Sequence, residues 1–316
     1  MDGMVDRTSI PGKAGPLAPG VFRGDHRTVP RTRKSRRGRT VGESFREYGR
    51  GIAGGLLFSL PLLYTMEVWF AGFLMPPHRQ LAYVLAGLVL LLGYNRFAGL
   101  HPDTTWAEIA IDSIEEMGIG LLLSAAVLLL IGRLTAEQDT SEVVGRIVVE
   151  AVTVAIGVSV GTAQLGAGGD KEPGMDGREE GSLGGQLTLA LCGAVLFAAN
   201  VAPTEEIVQI GIELSGLQLG LLGIATMILA ALVLYFSDFR GARRWARAEG
   251  RFAMFRGTVI TYAVGLVASA AVLWAFGRFD GMGATAITGQ TVALAVASTL
   301  GASAGRLLLQ GGNDSA

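Results

Sequence analysis

Residues 120–134 read GLLLSAAVLLLIGRL, and residues 265–279 read GLVASAAVLWAFGRF. The two align without a gap and share nine of fifteen positions, among them Ser124 with Ser269, Gly132 with Gly277 and Arg133 with Arg278. Each is an apolar block closed by Gly-Arg, the pattern of a hydrocarbon-spanning helix that meets a polar boundary. Working outward, 85–90 (LAGLVL) matches 229–234 (LAALVL), and Thr153-Val154-Ala155 matches Thr291-Val292-Ala293. Residues 54–72 (GGLLFSLPLLYTMEVWFAG) fit 193–211 (GAVLFAANVAPTEEIVQIG). Apolar segments share Leu, Ala, Val and Gly by chance, but chance accounts poorly for four pairings in chain order at offsets of 138 to 145. The pattern predicts a tandem duplication.

Composition places this duplication in a membrane. Of 316 residues, 50% are apolar and only 17% charged, against about 25% charged in a soluble chain. Eight apolar blocks are long enough to cross hydrocarbon: 51–75, 80–97, 107–134, 143–165, 186–209, 212–236, 255–277 and 285–309. Pro203-Thr204-Glu205-Glu206 interrupts the fifth, which leaves seven spans open, but a duplication of four-span units favours eight. The expected fold is an all-α polytopic bundle of two parallel four-helix repeats, 51–165 and 186–309. Units with an even number of spans insert in the same sense and are expected to be related by a pseudo-twofold axis along the membrane normal. A basic leader (1–50), an acidic Gly-rich linker (166–185) and a short tail (310–316) complete the chain, the first two too polar to pack and expected to be disordered.

The net charge of −1 conceals an asymmetry: residues 1–50 hold 12 Lys/Arg against 5 Asp/Glu. RTRKSRRGR (31–39) precedes the first span, and Arg240, Arg243, Arg244, Arg247 and Arg251 follow the sixth. With eight spans both groups lie on one side, so the positive-inside rule places both termini in the cytoplasm. These basic segments, including an amphipathic stretch at 239–255, suit contact with anionic lipid headgroups. Without aromatic residues between the arginines of 31–39, nucleic acid is not an expected partner. Trp106 and Trp245 fall at inner boundaries and Trp69 and Trp274 toward outer ends, as in an aromatic belt.

Charge inside the spans is almost all acidic. A charged residue at a span centre costs about 2.5–3.5 kcal/mol on insertion scales, so retained carboxylates call for a proton, a cation or a partner. Glu67 and Glu150 are flanked by apolar residues. Asp112, Glu115 and Glu116 fall at i, i+3 and i+4, close enough on a helix to share a proton or a cation. Thr65-x-Glu67 and Thr204-x-Glu206 place a hydroxyl and a carboxylate at equivalent points of the two repeats, the oxygen ligands that hard cations take. Glu205 stands beside them, Asn200 adds an amide oxygen and Pro203 frees a backbone carbonyl. Interfacial solvation suits Glu108, Glu205 and Glu213 equally well, and Asp112 also lies near the inner boundary.

The remaining motifs are structural. Gly157-x-x-x-Gly161, Gly216-x-x-x-Gly220 and Gly301-x-x-x-Gly305 read as close helix packing, and Cys192 as a buried thiol. One cysteine and three histidines give no expected metal cluster or cofactor, and no phosphate loop, nucleophile elbow or HExxH string occurs. An enzyme is not expected.

The segments GIAGGLLFSLPLLYTMEVWFAG (51–72) and FAANVAPTEEI (197–207) resemble a family of uncharacterised bacterial integral membrane proteins with a domain of unknown function. The resemblance extends over roughly residues 40–310 and implies a bacterial plasma-membrane location, with no chemistry attached. The intact acidic strings of cation/calcium exchangers do not occur. The residues themselves point to a secondary transporter or channel for protons or small inorganic cations. In this reading Glu67 and Glu206 form a paired outer site, Glu150 supports it, and Asp112, Glu115 and Glu116 receive the ion on the inner side. The alternative is a non-transporting membrane scaffold or sensor. The ion, its direction and the oligomeric state are not legible in the chain.

Overall fold

Pro61 and Pro203 decide where the helices break. The computed structural model describes residues 41–98, 105–164, 183–236 and 240–308, and every element among them is helical. The first set comprises α1 (Val41–Leu63), α2 (Met66–Leu74), α3 (Pro77–Ala98), α4 (Trp106–Leu130) and α5 (Thr140–Gln164). The second comprises α6 (Leu183–Val201), α7 (Glu205–Glu213), α8 (Gly216–Phe236), α9 (Arg240–Ala275) and α10 (Ala284–Leu308). Among the described residues seven helices are long and apolar enough to cross a membrane, and α1 with α2 makes an eighth if that bent pair is one span.

Several span limits need correction. The expected 51–75 span ends at Leu63, and α2 turns away from α1 by 86°. Proline inside α1 removes a backbone donor, which weakens the turn leading to the break. The 186–209 span ends at Val201, with the nine-residue α7 following as a separate helix. Helix α1 begins at Val41, inside the expected leader, and the basic 240–251 stretch is the first third of the 36-residue α9. The rest of the leader and the linker lie outside the described residues.

The two sets make like contacts at like positions. A Cβ on Gly54 of α1 would stand 2.3 Å from Gly161 Cα of α5, and one on Gly193 of α6 2.1 Å from Gly301 O of α10. Gly72 of α2 lies against Arg146 of α5, and Gly211 of α7 against Gln290 of α10. Helices α4 and α9 end alike, at Gly132 (φ 71°) and Gly277 (φ 72°). There Arg133 N–H bonds Leu128 O at 2.8 Å and Arg278 N–H bonds Leu273 O at 2.9 Å, a Schellman closure that needs a left-handed residue. The Gly157/Gly161 and Gly301/Gly305 pairs thus do pack closely. Gly216 and Gly220 do not, since open space surrounds both.

Packing between the sets is not reciprocal. Helix α6 is held by α1, α3 and α5, and α3 also touches α9. A twofold axis would make α8 meet α1 as α3 meets α6, but α8 packs chiefly on α9 and α10. These contacts do not mirror the expected pseudo-twofold arrangement. Helix α5 is the most enclosed span, because α1, α2, α3, α4 and α6 surround it. Side-chain pairings along the helices agree on two ends to the bundle. An N-terminal face carries Tyr48, Asn95, Glu116 and Arg306, and a far face carries Glu67, Arg79, Arg278 and Asp280.

Candidate functional site: a polar line along helix α5

The enclosed helix α5 carries polar residues from one face to the other. At the far end Arg146 is buried, donates to Glu142 one turn back, and donates to Arg133 O at 2.7 Å. One turn further in, Glu150 is 0% exposed, and neither carboxyl oxygen has a hydrogen-bond partner among the described residues. Thr153 follows, its hydroxyl 3.1 Å from Tyr83 Oη of α3. Near the N-terminal face Ser159 donates to Asn95 Oδ1 at 3.1 Å, and Asn95 Nδ2 donates to Glu116 at 2.7 Å and to Ser113 at 3.1 Å. Glu142 to Ser159 covers about 25 Å at the helical rise, most of the hydrocarbon thickness.

Glu150 has polar company at its own level. Gly55 of α1 packs on Val154 and Val158 of α5, so one turn onward in α1 and one turn back in α5 bring Ser59 toward Glu150. Gly120 of α4 packs on Ala151 and Ala155, which brings Ser124, one turn on, to the same depth. Ser59 and Ser124 are fully buried, and their hydroxyls likewise lack partners among the described residues. In the second set the position matching Ser124 is Ser269, which is satisfied by Ser298 at 2.6 Å. Gly72 on Arg146 and Gly211 on Gln290 set α5 against α10 at an offset of 144, which corrects the offset of 138 in the Thr-Val-Ala pairing and matches Glu150 to Leu294. The carboxyl therefore belongs to the first set alone.

The far face holds a second arrangement, a cavity of about 430 Å³ between the two sets. Glu67, Arg79, Glu205, Arg278 and Asp280 line it, with Phe70 and Phe276 among its apolar walls. Arg79 of α3 holds Asp280 through two bonds, 2.7 and 2.8 Å, and Arg278 holds Glu205 at 2.8 Å. Asp280, in the α9–α10 turn, is kept below the ordinary carboxylate range by its hydrogen bond from Arg79. The far-face arginines also lie over aromatic rings: Arg133 at 4.1 Å from the Trp69 ring centre and Arg79 at 5.5 Å from that of Trp274.

The expected site is thus rearranged. Glu67 shares the cavity with Glu205 and not with Glu206, which is exposed on α7 and outside the lining. Thr65 and Thr204 are the N-cap residues of α2 and α7. The Thr65 hydroxyl donates to Pro61 O at 2.5 Å. Asp112 is half-buried on α4, Glu115 is exposed and accepts from Tyr48 Oη, and Glu116 turns inward to Asn95. Among the described residues no group of three His, Cys, Asp or Glu side chains could hold a metal. The Asn200 amide is bonded on both sides to the backbone of α1.

Sequence reasoning passed over Asn95, Tyr83, Ser59, Ser124 and the buried Arg146. Polar residues in an apolar span were the available signal, but neutral hydroxyls and amides stand out less than acids do. The thiol of Cys192 is buried, as expected.

A family described as "Putative integral membrane protein (DUF2391)" matches residues 47–309, from within α1 to the end of α10. No curated protein and no solved structure matches the chain.

Proposed function

The chain belongs to the DUF2391 family of integral membrane proteins, and from that premise we propose that it is a secondary transporter or channel for protons or small inorganic cations, its path running along α5. One observation carries the reading: Glu150, fully enclosed at membrane depth, with no hydrogen bond to either oxygen among the described residues. A carboxyl group retained there without a hydrogen bond, with the Arg146 guanidinium one turn away as a charged neighbour, costs stability, and its chemistry is to take up and release a proton or to hold a cation. Arg146 and Glu142 open the path at the far face, where the Glu67 and Glu205 cavity collects cations. Asn95 and Glu116 close it at the other. The apolar turn between Thr153 and Ser159 spans about 9 Å, a constriction that water bridges during transport. The two sets derive from a duplicated unit in which only the first kept its carboxyl. That reading is supported by the matching Gly54/Gly193, Gly72/Gly211 and Gly132/Gly277 geometry. The basic leader and the basic start of α9 support a reading in which both termini lie in the cytoplasm of a bacterium, against anionic lipid.

Proton and cation flux into liposomes holding the full chain tests this. Glu150→Gln removes the titrating group while keeping size, and flux should fall to the level of empty vesicles, with Glu206→Gln remaining like wild type. Wild-type flux in Glu150→Gln would remove the path. The scaffold reading draws on the ion pairs of the far face and on the hydrogen-bonded Glu116. A wild-type chain without flux of any tested ion would select it.

A further inference from the structure

One carboxylate of the far-face cavity has no counter-charge. Glu67, Glu205 and Asp280 line that cavity of about 430 Å³ together with Arg79 and Arg278. Arg79 is held by Asp280 through bonds of 2.7 and 2.8 Å, and Arg278 by Glu205 at 2.8 Å. Among the described residues Glu67 makes no hydrogen bond and no ion pair, so its negative charge is the one left over. The two pairs also brace the walls, since they tie α3 to the α9–α10 turn and the end of α9 to α7.

The apolar part of the lining is in register with that charge. Glu67, Phe70, Ala71 and Leu74 fall at i, i+3, i+4 and i+7 of α2, one stripe of a single helix face, and all four line the cavity. Glu67 to Leu74 covers about 10 Å at the helical rise, and Phe276 stands in the wall that the second set contributes. Phe70 packs edge-to-face on Phe73 and Phe276 on Tyr83, with ring centroids 5.8 Å apart in each pair. Aromatic rings beside an unanswered carboxylate attract a cation that has an apolar body. A hard inorganic ion gains nothing from such walls and wants several oxygen ligands, yet among the described residues no group of three His, Cys, Asp or Glu could hold a metal. We propose that this cavity binds an organic ammonium ion, its charged head at Glu67 and its apolar body along α2 toward Leu74. The volume lies within the range of small-molecule pockets, about 300–1,000 Å³. The site goes beyond the inorganic-ion reading of the α5 path and does not depend on passage along it.

Isothermal titration calorimetry on the full chain in neutral detergent tests this with three probes of one shape: phenylbutylammonium, phenylbutanol and phenylbutyrate. Only the ammonium should bind saturably, and potassium at the same concentration should not displace it. Glu67→Gln should weaken the ammonium affinity about tenfold, the scale of one charge-assisted contact. Ala71→Phe keeps the carboxylate but fills the cavity, and should weaken the affinity at least as much. Glu206→Gln, exposed on α7 outside the lining, and Glu150→Gln, on α5, should both bind as wild type does. A chain that binds the ammonium but passes no ion would keep this site and lose the α5 path; ion flux without ammonium binding would do the opposite. Equal binding of the alcohol, unchanged affinity in Glu67→Gln or in Ala71→Phe, or displacement by potassium would each overturn the proposal.

Discussion

The side-chain amide of Asn200 is spliced into the backbone of α1 at Leu62. Leu62 N–H donates to Asn200 Oδ1 at 3.0 Å, and Asn200 Nδ2 donates to Phe58 O at 3.1 Å, the carbonyl that Leu62 would reach in an uninterrupted helix. The amide thus closes the turn that Pro61 disrupts and ties α6 of the second set to α1 of the first. Asn200→Ala should leave two buried backbone groups unpaired and cost about 2–4 kcal/mol, seen as a lower unfolding midpoint in detergent. Pro61→Ala in the same background should recover part of the loss. Additive effects of the two changes would show that Asn200 does not serve the break at Pro61.

Glu150→Leu copies into the first set the residue that the second set carries at Leu294. Replacing a buried, unpartnered carboxyl by a hydrocarbon of similar size should stabilise the chain by about 1–3 kcal/mol and abolish ion flux. A variant destabilised by this change would mean that the carboxyl is bonded within the bundle.

The Arg79–Asp280 pair links the two sets at the far face. Because the folded state holds Asp280 below its ordinary value, the pair stabilises at pH values above the ordinary carboxylate range, about 4. That contribution is lost as pH falls through the lowered folded value. The acid limb of a midpoint-versus-pH curve for wild type should therefore fall more steeply than that of Asp280→Asn. The difference is small, since Asp280 is exposed and screened. Superimposable curves would contradict the linkage.

Glycines of one spelling should respond in opposite ways. Gly193→Ala drives a Cβ to 2.1 Å from Gly301 O on the neighbouring backbone and should cost about 1–3 kcal/mol or more. Gly220→Ala enters open space in α8 and should stabilise by up to about 1 kcal/mol through helix propensity. Unfolding midpoints of the two single variants decide it. Similar losses in both would mean that α8 is packed against a partner in solution.

Much of the architecture was legible in the residues, because crossing hydrocarbon requires length, apolarity and internally satisfied backbone, all of which are local properties. The 80–97 and 107–134 blocks became α3 and α4. Pairing of the carboxylates was not legible. In a soluble helix the apolar stripe faces the core, but in a span both the core and the lipid accept apolar side chains, so sequence does not say which face turns inward. Glu150 and Glu206 are equally acidic in the sequence; one is sealed inside α5's packing and the other is exposed on α7.

Sequence alone therefore determined that the chain spans a membrane through several apolar helices and that its expensive charges are carboxylates. Tertiary structure decided that Glu67 and Glu205 line one cavity, that Asn200 mends the backbone at Pro61, and that Glu150 is enclosed without a hydrogen-bond partner among the described residues. The physical reason is range. Insertion is settled residue by residue against the bilayer, whereas a partner for a buried polar atom comes from whichever helix the glycine contacts bring near, more than a hundred residues away in the case of Asn200 and Leu62.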